Sequence, residues 1–259
     1  MGHLIEREAL EALCVEYACF NAARALGSGG QSRMKVAKVG TIVVLRDSGR
    51  GPGPCNRLLG FGDPDEESLR VGLAEFEGTG CLPCVELSME AASSQMEEIL
   101  REAGLAPSLE LSYLVRRPEP VAESMMDVER WGPAQADDFL RLLETSGVVC
   151  PREVWRERRQ HYCTDRFRTF AANMEELPCA WATLFVDGER GYLANAFTQE
   201  WARCRGCQAA LLARRLQDAH ELQLAWVATD VVVGSQSERN CLREGFVERL
   251  KTTLWLPQS

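Results

Sequence analysis

The most constraining feature of the sequence is a short glycine-containing loop between a β-type segment and a long helical segment. Tyr192 to Thr198 has the composition of a strand, and Cys207 to His220 has the length and apolar spacing of a helix. Between them stand Arg203, Arg205 and Gly206. Such a turn directs backbone N–H groups to the positive end of a helix dipole, glycine lets a phosphate approach closely, and arginines add cations. The loop therefore predicts an anion site of a kind that suits a diphosphate.

Two common phosphate-binding loops do not fit this stretch. A Walker loop requires Gly-Lys-Ser/Thr, which does not follow Gly206. The dinucleotide fingerprint requires several glycines, and this loop has one. The loop alone leaves the ligand open, and a nucleotide or sugar-phosphate binder is one alternative.

The surrounding segments predict an α+β fold. Ala180 to Val186 and Tyr192 to Thr198 are β-like and flank Asp187-Gly188, a strong hairpin signal. A buried strand, a short helix and a final strand pair follow the long helix: Leu222 to Thr229, Ser237 to Glu244, and Phe246 to Leu256. We expect a mixed, mostly antiparallel sheet with flanking helices.

The chain is long enough for two domains of ordinary size, with 259 residues. The run Arg116 to Pro120 contains two prolines, which resist both helix and sheet interior, and the α and β pattern starts again after it. We expect a first lobe at 1–117, a linker at 118–124 and a second domain at 125–259.

Charge and cysteine content exclude several classes of protein. The formal net charge of −9 argues against a general nucleic-acid binder, which needs a basic face. The amino terminus lacks a signal peptide's apolar core and no apolar run is long enough to span a bilayer, so a cytoplasmic location without membrane contact is expected. The 11 cysteines are then best explained as reduced thiols. The two Cys-x-x-Cys pairs, Cys81/Cys84 and Cys204/Cys207, lie over a hundred residues apart, which is too far for a zinc ribbon, so no metal site is predicted.

The loop and the segments after it together resemble the GNAT superfamily of N-acetyltransferases. The spacing Arg203-x-x-Gly206-x-Gln208 is similar to that family's coenzyme A loop, usually Gln/Arg-x-x-Gly-x-Gly/Ala. A helix and a strand follow at the right distance, and Ser235 to Phe246 resembles the family's short helix that ends in Gly-Phe. The resemblance covers roughly 128 to 257 and implies the acyl-CoA N-acyltransferase fold.

The resemblance also implies which residues bind acetyl-CoA. In the family, the pantetheine arm lies between two strands that splay apart, and the pyrophosphate rests on the loop. The pantetheine contacts carried over are Ala196, Phe197 and Thr198. The pyrophosphate contacts carried over are Arg203, Arg205, Gly206, Cys207, Gln208 and Ala209. Asn240 is a further polar contact to the cofactor.

The sequence departs from the family's pattern at the catalytic residues. The family commonly has a tyrosine acid four residues before the Gly of Gly-Phe, and Cys241 stands there. No carboxylate lies on the strand before the loop, so Asp230 and Glu200 are the nearest candidates for a general base. The leading function is an N-acetyltransferase that acetylates a small-molecule or peptidyl amine. The alternative is a non-catalytic acyl-CoA-binding or regulatory protein.

The amino-terminal half resembles a shortened, degenerate copy of the same fold. It has the same order of strands and helices but lacks the phosphate loop, and the acidic run Gly62 to Glu67 occupies that place. An unrelated α/β cap is the alternative. We therefore expect one cofactor site per chain, in a monomer or a homodimer.

Overall fold

The computed structural model describes residues 6–27, 30–50, 55–121 and 125–258. The helices are α1 (Arg7–Arg24), α2 (Glu66–Ala74), α3 (Ser94–Glu102), α4 (Ala136–Glu144), α5 (Arg152–Arg158), α6 (Cys207–Glu221) and α7 (Gln236–Arg243). The strands are β1 (Met34–Val39), β2 (Ile42–Asp47), β3 (Arg57–Gly60), β4 (Cys84–Ser88), β5 (Leu105–Arg116), β6 (Val128–Trp131), β7 (Phe167–Met174), β8 (Leu177–Asp187), β9 (Arg190–Thr198), β10 (Trp226–Val232) and β11 (Val247–Pro257).

The chain divides into two compact units. The first consists of Met1–Ala23, Gly29–Leu114 and Asp230–Ser259, and the second of Arg24–Ser28 and Val115–Thr229. Part of the expected linker, 122–124, lies outside the described residues.

In the first unit the strand order is β1-β2-β3-β4-β11-β5. The β1, β2 and β3 strands form an antiparallel meander, and β3 pairs in parallel with β4 through the α2 crossover. Helix α2 begins after Asp65, whose carboxylate accepts from the Ser68 amide at 2.8 Å and so caps the first turn. Apolar side chains from β2, β3, β4, α2 and α3 close the core over this sheet.

The carboxy-terminal strand belongs to this first unit. β11 pairs antiparallel with β4, with Thr252 opposite Ser88, and Trp255 is buried in the same core cluster as Val85. The grouping differs from the expected boundary, which assigned 125–259 to one domain. The physical reason is that β11 makes its ladder and its core contacts with a strand more than 150 residues earlier, which no local pattern reveals.

In the second unit the strand order is β10-β9-β8-β7-β6. Neighbouring strands from β6 to β9 pair antiparallel, and β9 pairs in parallel with β10 through the α6 crossover. Gly188 takes a φ of +57° in the β8–β9 turn, which confirms the Asp187-Gly188 hairpin. Helix α6 is held to β7 by the buried ion pair between Arg168 and Asp218.

These observations confirm the α+β class, with a mixed, mostly antiparallel sheet and flanking helices. The element order β1-β2-β3-α2-β4-α3-β5 is repeated as β7-β8-β9-α6-β10-α7-β11. This repeat supports the interpretation as two tandem lobes, which stays a prediction.

Two absences hold for the described part of the chain. None of its helices is long and apolar enough to cross a membrane. In the same residues, no three His, Cys, Asp or Glu side chains form a group able to hold a metal ion.

Candidate functional site

The site begins where two parallel strands of the second unit part. The register of β9 with β10 runs from Arg190 opposite Trp226 to Tyr192 opposite Ala228, and β9 then continues to Thr198. At the first step beyond this register the Thr229 hydroxyl donates to the Leu193 carbonyl at 2.9 Å. A side chain thus bridges the strands at the point where their regular ladder ends, and the carboxy-terminal half of β9 lies beyond it.

A β-bulge lies in this second half of β9. Ala182 pairs with Ala196 and Thr183 with Ala194, so Asn195 is the extra residue, and its φ is +39°. The Thr183 hydroxyl donates to the Ala194 carbonyl at 2.8 Å and fixes the strand next to the bulge. Asparagine tolerates a left-handed backbone better than most residues, and bulges re-aim the strand that follows. Ala196 is exposed beyond the bulge, and Phe197 and Thr198 are half-buried.

The loop after β9 is tied down at its entrance. The Gln199 amide donates to the Cys179 carbonyl at 2.9 Å, and the Gln199 side chain donates to the Thr145 hydroxyl at 3.1 Å. A short 3-10 turn, Glu200–Ala202, follows, and Ala202 is fully buried. The loop therefore reaches α6 from a fixed starting point.

Gly206 starts α6 in a left-handed conformation, with a φ of +86°. A Cβ at this position would meet nothing within 4 Å, so the space beside the glycine is open. The first hydrogen bond of the helix runs from the Ala210 amide to the Gly206 carbonyl at 3.0 Å. The three amides before Ala210 have no helical acceptor, and they lie at the positive end of the helix dipole.

Two exposed arginines flank this helix start. Neither the Arg203 nor the Arg205 guanidinium forms an ion pair with any described carboxylate, although acidic residues outnumber basic ones by 38 to 29. Cys204, between them, is exposed and has a φ of +60°. Unpaired cations beside open helical amides form an arrangement suited to phosphate oxygens.

Two further predicted cofactor residues are joined by a hydrogen bond. The Gln208 side chain donates to the Thr198 hydroxyl at 2.7 Å, which connects the end of β9 to the first turn of α6. Ala209, next along the helix, is exposed. The structure thus brings the strand end and the loop together in one unit.

Cys207 contributes its backbone amide to this site, and its side chain points into the core. Its side chain is buried, the thiol lies 3.4 Å from the Ala202 carbonyl oxygen, and its Sγ lies 3.8 Å from Cys179 Sγ. Burial, with a smaller contribution from Cys207, raises the pKa of the Cys179 thiol to about 11. The Cys179 thiol stays neutral, both thiols are packed side chains, and the Cys207 amide belongs to the first turn of α6.

The other predicted residues lie in different places. Glu200 is exposed on the 3-10 turn of the second unit. Asp230, Asn240 and Cys241 belong to the first unit: Asp230 is exposed, Cys241 is 7% exposed, and Asn240 Oδ1 accepts from Gln236 at 2.8 Å. The roles of these four residues stay predictions.

Sequence reasoning missed several residues that shape the site. Thr183, Thr229 and Gln199 hold β9 and the loop through side-chain hydrogen bonds, and no local signal marks such bonds. Asn195 did carry a signal, because asparagine is disfavoured within strands and favoured in left-handed positions.

Comparison with known proteins identifies the fold. No protein-family model and no protein with a curated function matches the sequence. A GCN5-related N-acetyltransferase from Kribbella flavida matches with a TM-score of 0.60 at 15% identity, over 87% of this chain and 90% of that chain. A GCN5-related N-acetyltransferase from Sphaerobacter thermophilus matches with a TM-score of 0.59 at 12% identity, over 83% and 79%. A functionally unknown conserved protein from Staphylococcus epidermidis matches with a TM-score of 0.56 at 13% identity, over 80% and 86%.

The protein therefore has the fold of the GCN5-related N-acetyltransferases, the GNAT superfamily, as the sequence resemblance predicted. Identities of 12% to 15% show the fold, and activity has to be argued from the site.

Proposed function

We propose that the protein is an N-acetyltransferase that transfers an acetyl group from acetyl-CoA to an amine of a small molecule or peptide. The single observation that carries this proposal is the joint between β9 and α6. A strand that has left its parallel neighbour is hydrogen-bonded through Thr198 and Gln208 to a helix start with open amides and unpaired arginines. This joint places an exposed strand end directly beside a helix terminus suited to an anion.

The residues fit acetyl-CoA at both ends. The pyrophosphate would lie on the amides of Cys207, Gln208 and Ala209, where the open space beside Gly206 admits it and Arg203 and Arg205 supply charge. The pantetheine arm would run along the end of β9, with contacts at Ala196, Phe197 and Thr198. Bound there, acetyl-CoA supplies the reactive thioester.

The chain's own contribution to the reaction is mainly orientation. Holding the thioester against β9 and the amine beside it replaces a bimolecular encounter by an oriented one. Backbone amides in β9 are suited to polarise the thioester carbonyl. Proton removal from the amine falls to Glu200, Asp230 or water, and Cys241 stands where the family has its tyrosine acid.

A non-catalytic acyl-CoA-binding protein is the second candidate. The observation that favours it is the absence of a carboxylate on β9 together with the replacement of the tyrosine by Cys241. The buried thiol, 7% exposed, fits a small core residue. The cofactor site would be the same in both candidates.

We also propose a cytoplasmic location and a monomeric or homodimeric state, with no nucleic-acid or membrane partner. The acidic composition, a net charge of −9, favours a cationic or amine acceptor over an anionic one.

Turnover with a panel of amines separates the two candidates. The purified protein is incubated with acetyl-CoA and polyamine, aromatic amine, amino-sugar and peptide acceptors, and released CoA thiol and acetylated product are measured by mass spectrometry. Turnover that an Arg205→Ala/Gly206→Glu variant loses supports the acetyltransferase. Micromolar acetyl-CoA binding without turnover of any acceptor favours the binding protein, and absence of binding contradicts both.

A further inference from the structure

Trp201 is an exposed aromatic residue in the loop between β9 and α6. It is 49% exposed, whereas Trp131, Trp155, Trp181 and Trp255 are each at most 8% exposed and Trp226 is half-buried. The structure thus leaves about half of this large residue in solvent. An exposed indole has a broad apolar face on which a planar ring can stack.

The backbone under Trp201 is held on both sides. Before it, Gln199 is fixed by hydrogen bonds to Cys179 and Thr145. After it, Ala202 is fully buried and its carbonyl accepts from the Cys207 thiol. The backbone that carries the indole is therefore fixed before any ligand binds, so stacking on Trp201 does not have to order the loop, which lowers its entropy cost.

The groups that follow Trp201 in the chain are of the kinds that bind the phosphates of a nucleotide. Arg203 and Arg205 follow within four residues and are without ion pairs among the described residues, and the open amides of α6 come directly after them. A π-face, two free cations and a helix terminus on one continuous segment match a base attached to phosphates. These neighbouring phosphate-binding groups distinguish Trp201 from an ordinary exposed tryptophan.

We propose that Trp201 stacks on the adenine ring of the coenzyme A thioester whose pyrophosphate lies on the same loop. The inference rests on the proposed function and adds a specificity-determining residue to it. Trp201 would let the protein distinguish a complete CoA thioester from one that carries only phosphopantetheine.

A thermodynamic cycle that combines substitutions of Trp201 with removal of the adenine from the ligand tests this inference. Calorimetry measures the affinities of acetyl-CoA and of S-acetyl-4′-phosphopantetheine, which lacks the 3′-phospho-AMP part and with it the adenine ring, for the wild type, Trp201→Ala and Trp201→Phe. We expect Trp201→Ala to weaken acetyl-CoA binding about 5- to 150-fold, the range for loss of one base–aromatic stack. Affinity for the phosphopantetheine thioester should stay within about twofold, and Trp201→Phe should restore most of the acetyl-CoA affinity.

A matched control excludes a general effect of truncating exposed apolar groups. Leu222, 38% exposed at the far end of α6, is changed to Ala, and neither affinity should change. Equal losses for both ligands in Trp201→Ala, or no loss for acetyl-CoA, would overturn the stacking inference while leaving the acetyltransferase proposal intact. Failure of the wild type to bind either ligand would overturn both.

Discussion

Glu86 provides a sharp test of how the first unit holds its carboxy-terminal strand. It lies on β4, is fully buried, and its Oε1 accepts from the Tyr113 hydroxyl at 2.7 Å and from the Thr252 hydroxyl at 2.7 Å. The other oxygen, Oε2, accepts from the Arg57 guanidinium. One carboxylate thus connects β3, β4, β5 and β11, so that it specifies where β11 belongs in the sheet.

Changing Glu86 to Gln keeps the shape of the side chain but removes its charge. Arg57 then loses its only described carboxylate partner, and its Nε already lacks a hydrogen-bond acceptor among the described residues. Removing one member of a buried ion pair costs roughly 3–5 kcal/mol, because the remaining charge is buried without compensation. The side chain of Arg57 keeps 23% exposure, so we expect the lower end, about 3 kcal/mol of unfolding free energy.

Urea unfolding followed by circular dichroism measures this loss, and hydrogen exchange of β11 peptides shows where it falls. The matched control is Glu97→Gln on α3, which breaks the exposed pair with Arg101 and should cost less than about 0.5 kcal/mol. A loss below about 1 kcal/mol for Glu86→Gln, or unchanged exchange in β11, would refute the role given to this carboxylate.

Two further predictions concern the second unit. Gly191→Ala should destabilise it by about 1–3 kcal/mol, because a Cβ would lie 2.9 Å from Leu224 Cδ1 and from Val227 Cγ1 within the core; thermal unfolding checks this, and a stability equal to the wild type would contradict the packing. Burial raises the pKa of the Cys163 thiol to about 11, so its folded form stays protonated after the unfolded thiol ionises near pH ~8.5. The stability that depends on a protonated Cys163 is therefore complete below about pH 8.5 and is lost as the pH rises towards 11. The melting temperature of Cys163→Ala should fall less steeply than that of the wild type over this alkaline range. Identical pH profiles for the two proteins would contradict the prediction.

The parts of the fold that could be predicted from the sequence depend on local chemistry. Asp187-Gly188 specifies a hairpin because glycine adopts the left-handed conformation at no steric cost. Asp65 starts a helix because its carboxylate caps the first turn. The loop at Gly206 could be predicted for the same reason, since a glycine before a long apolar helix requires no distant partner.

The features that could not be predicted depend on distant partners. The place of β11 is decided by Glu86 and by the core around Trp255, and the pattern of β11 itself is compatible with either unit. The edge strand β1 was missed because its side chains are largely exposed and show no apolar alternation. The Asn195 bulge in β9 and the hydrogen bond from Thr229 to Leu193 at the end of the β9–β10 ladder also depend on distant partners, because they exist only once the strands are paired.

In the proposed function the β9–α6 joint holds a coenzyme A thioester, and direct binding tests this. Calorimetric titration with acetyl-CoA and CoA compares the wild type with Arg205→Ala/Gly206→Glu, which removes one unpaired cation and places a carboxylate in the open space beside the helix terminus. Arg152→Ala, at an exposed arginine on α5, serves as the charge-matched control for the arginine change. Micromolar binding by the wild type and the control, lost in the double variant, is the predicted result. No binding by the wild type, or equal binding by all three proteins, would contradict the claim.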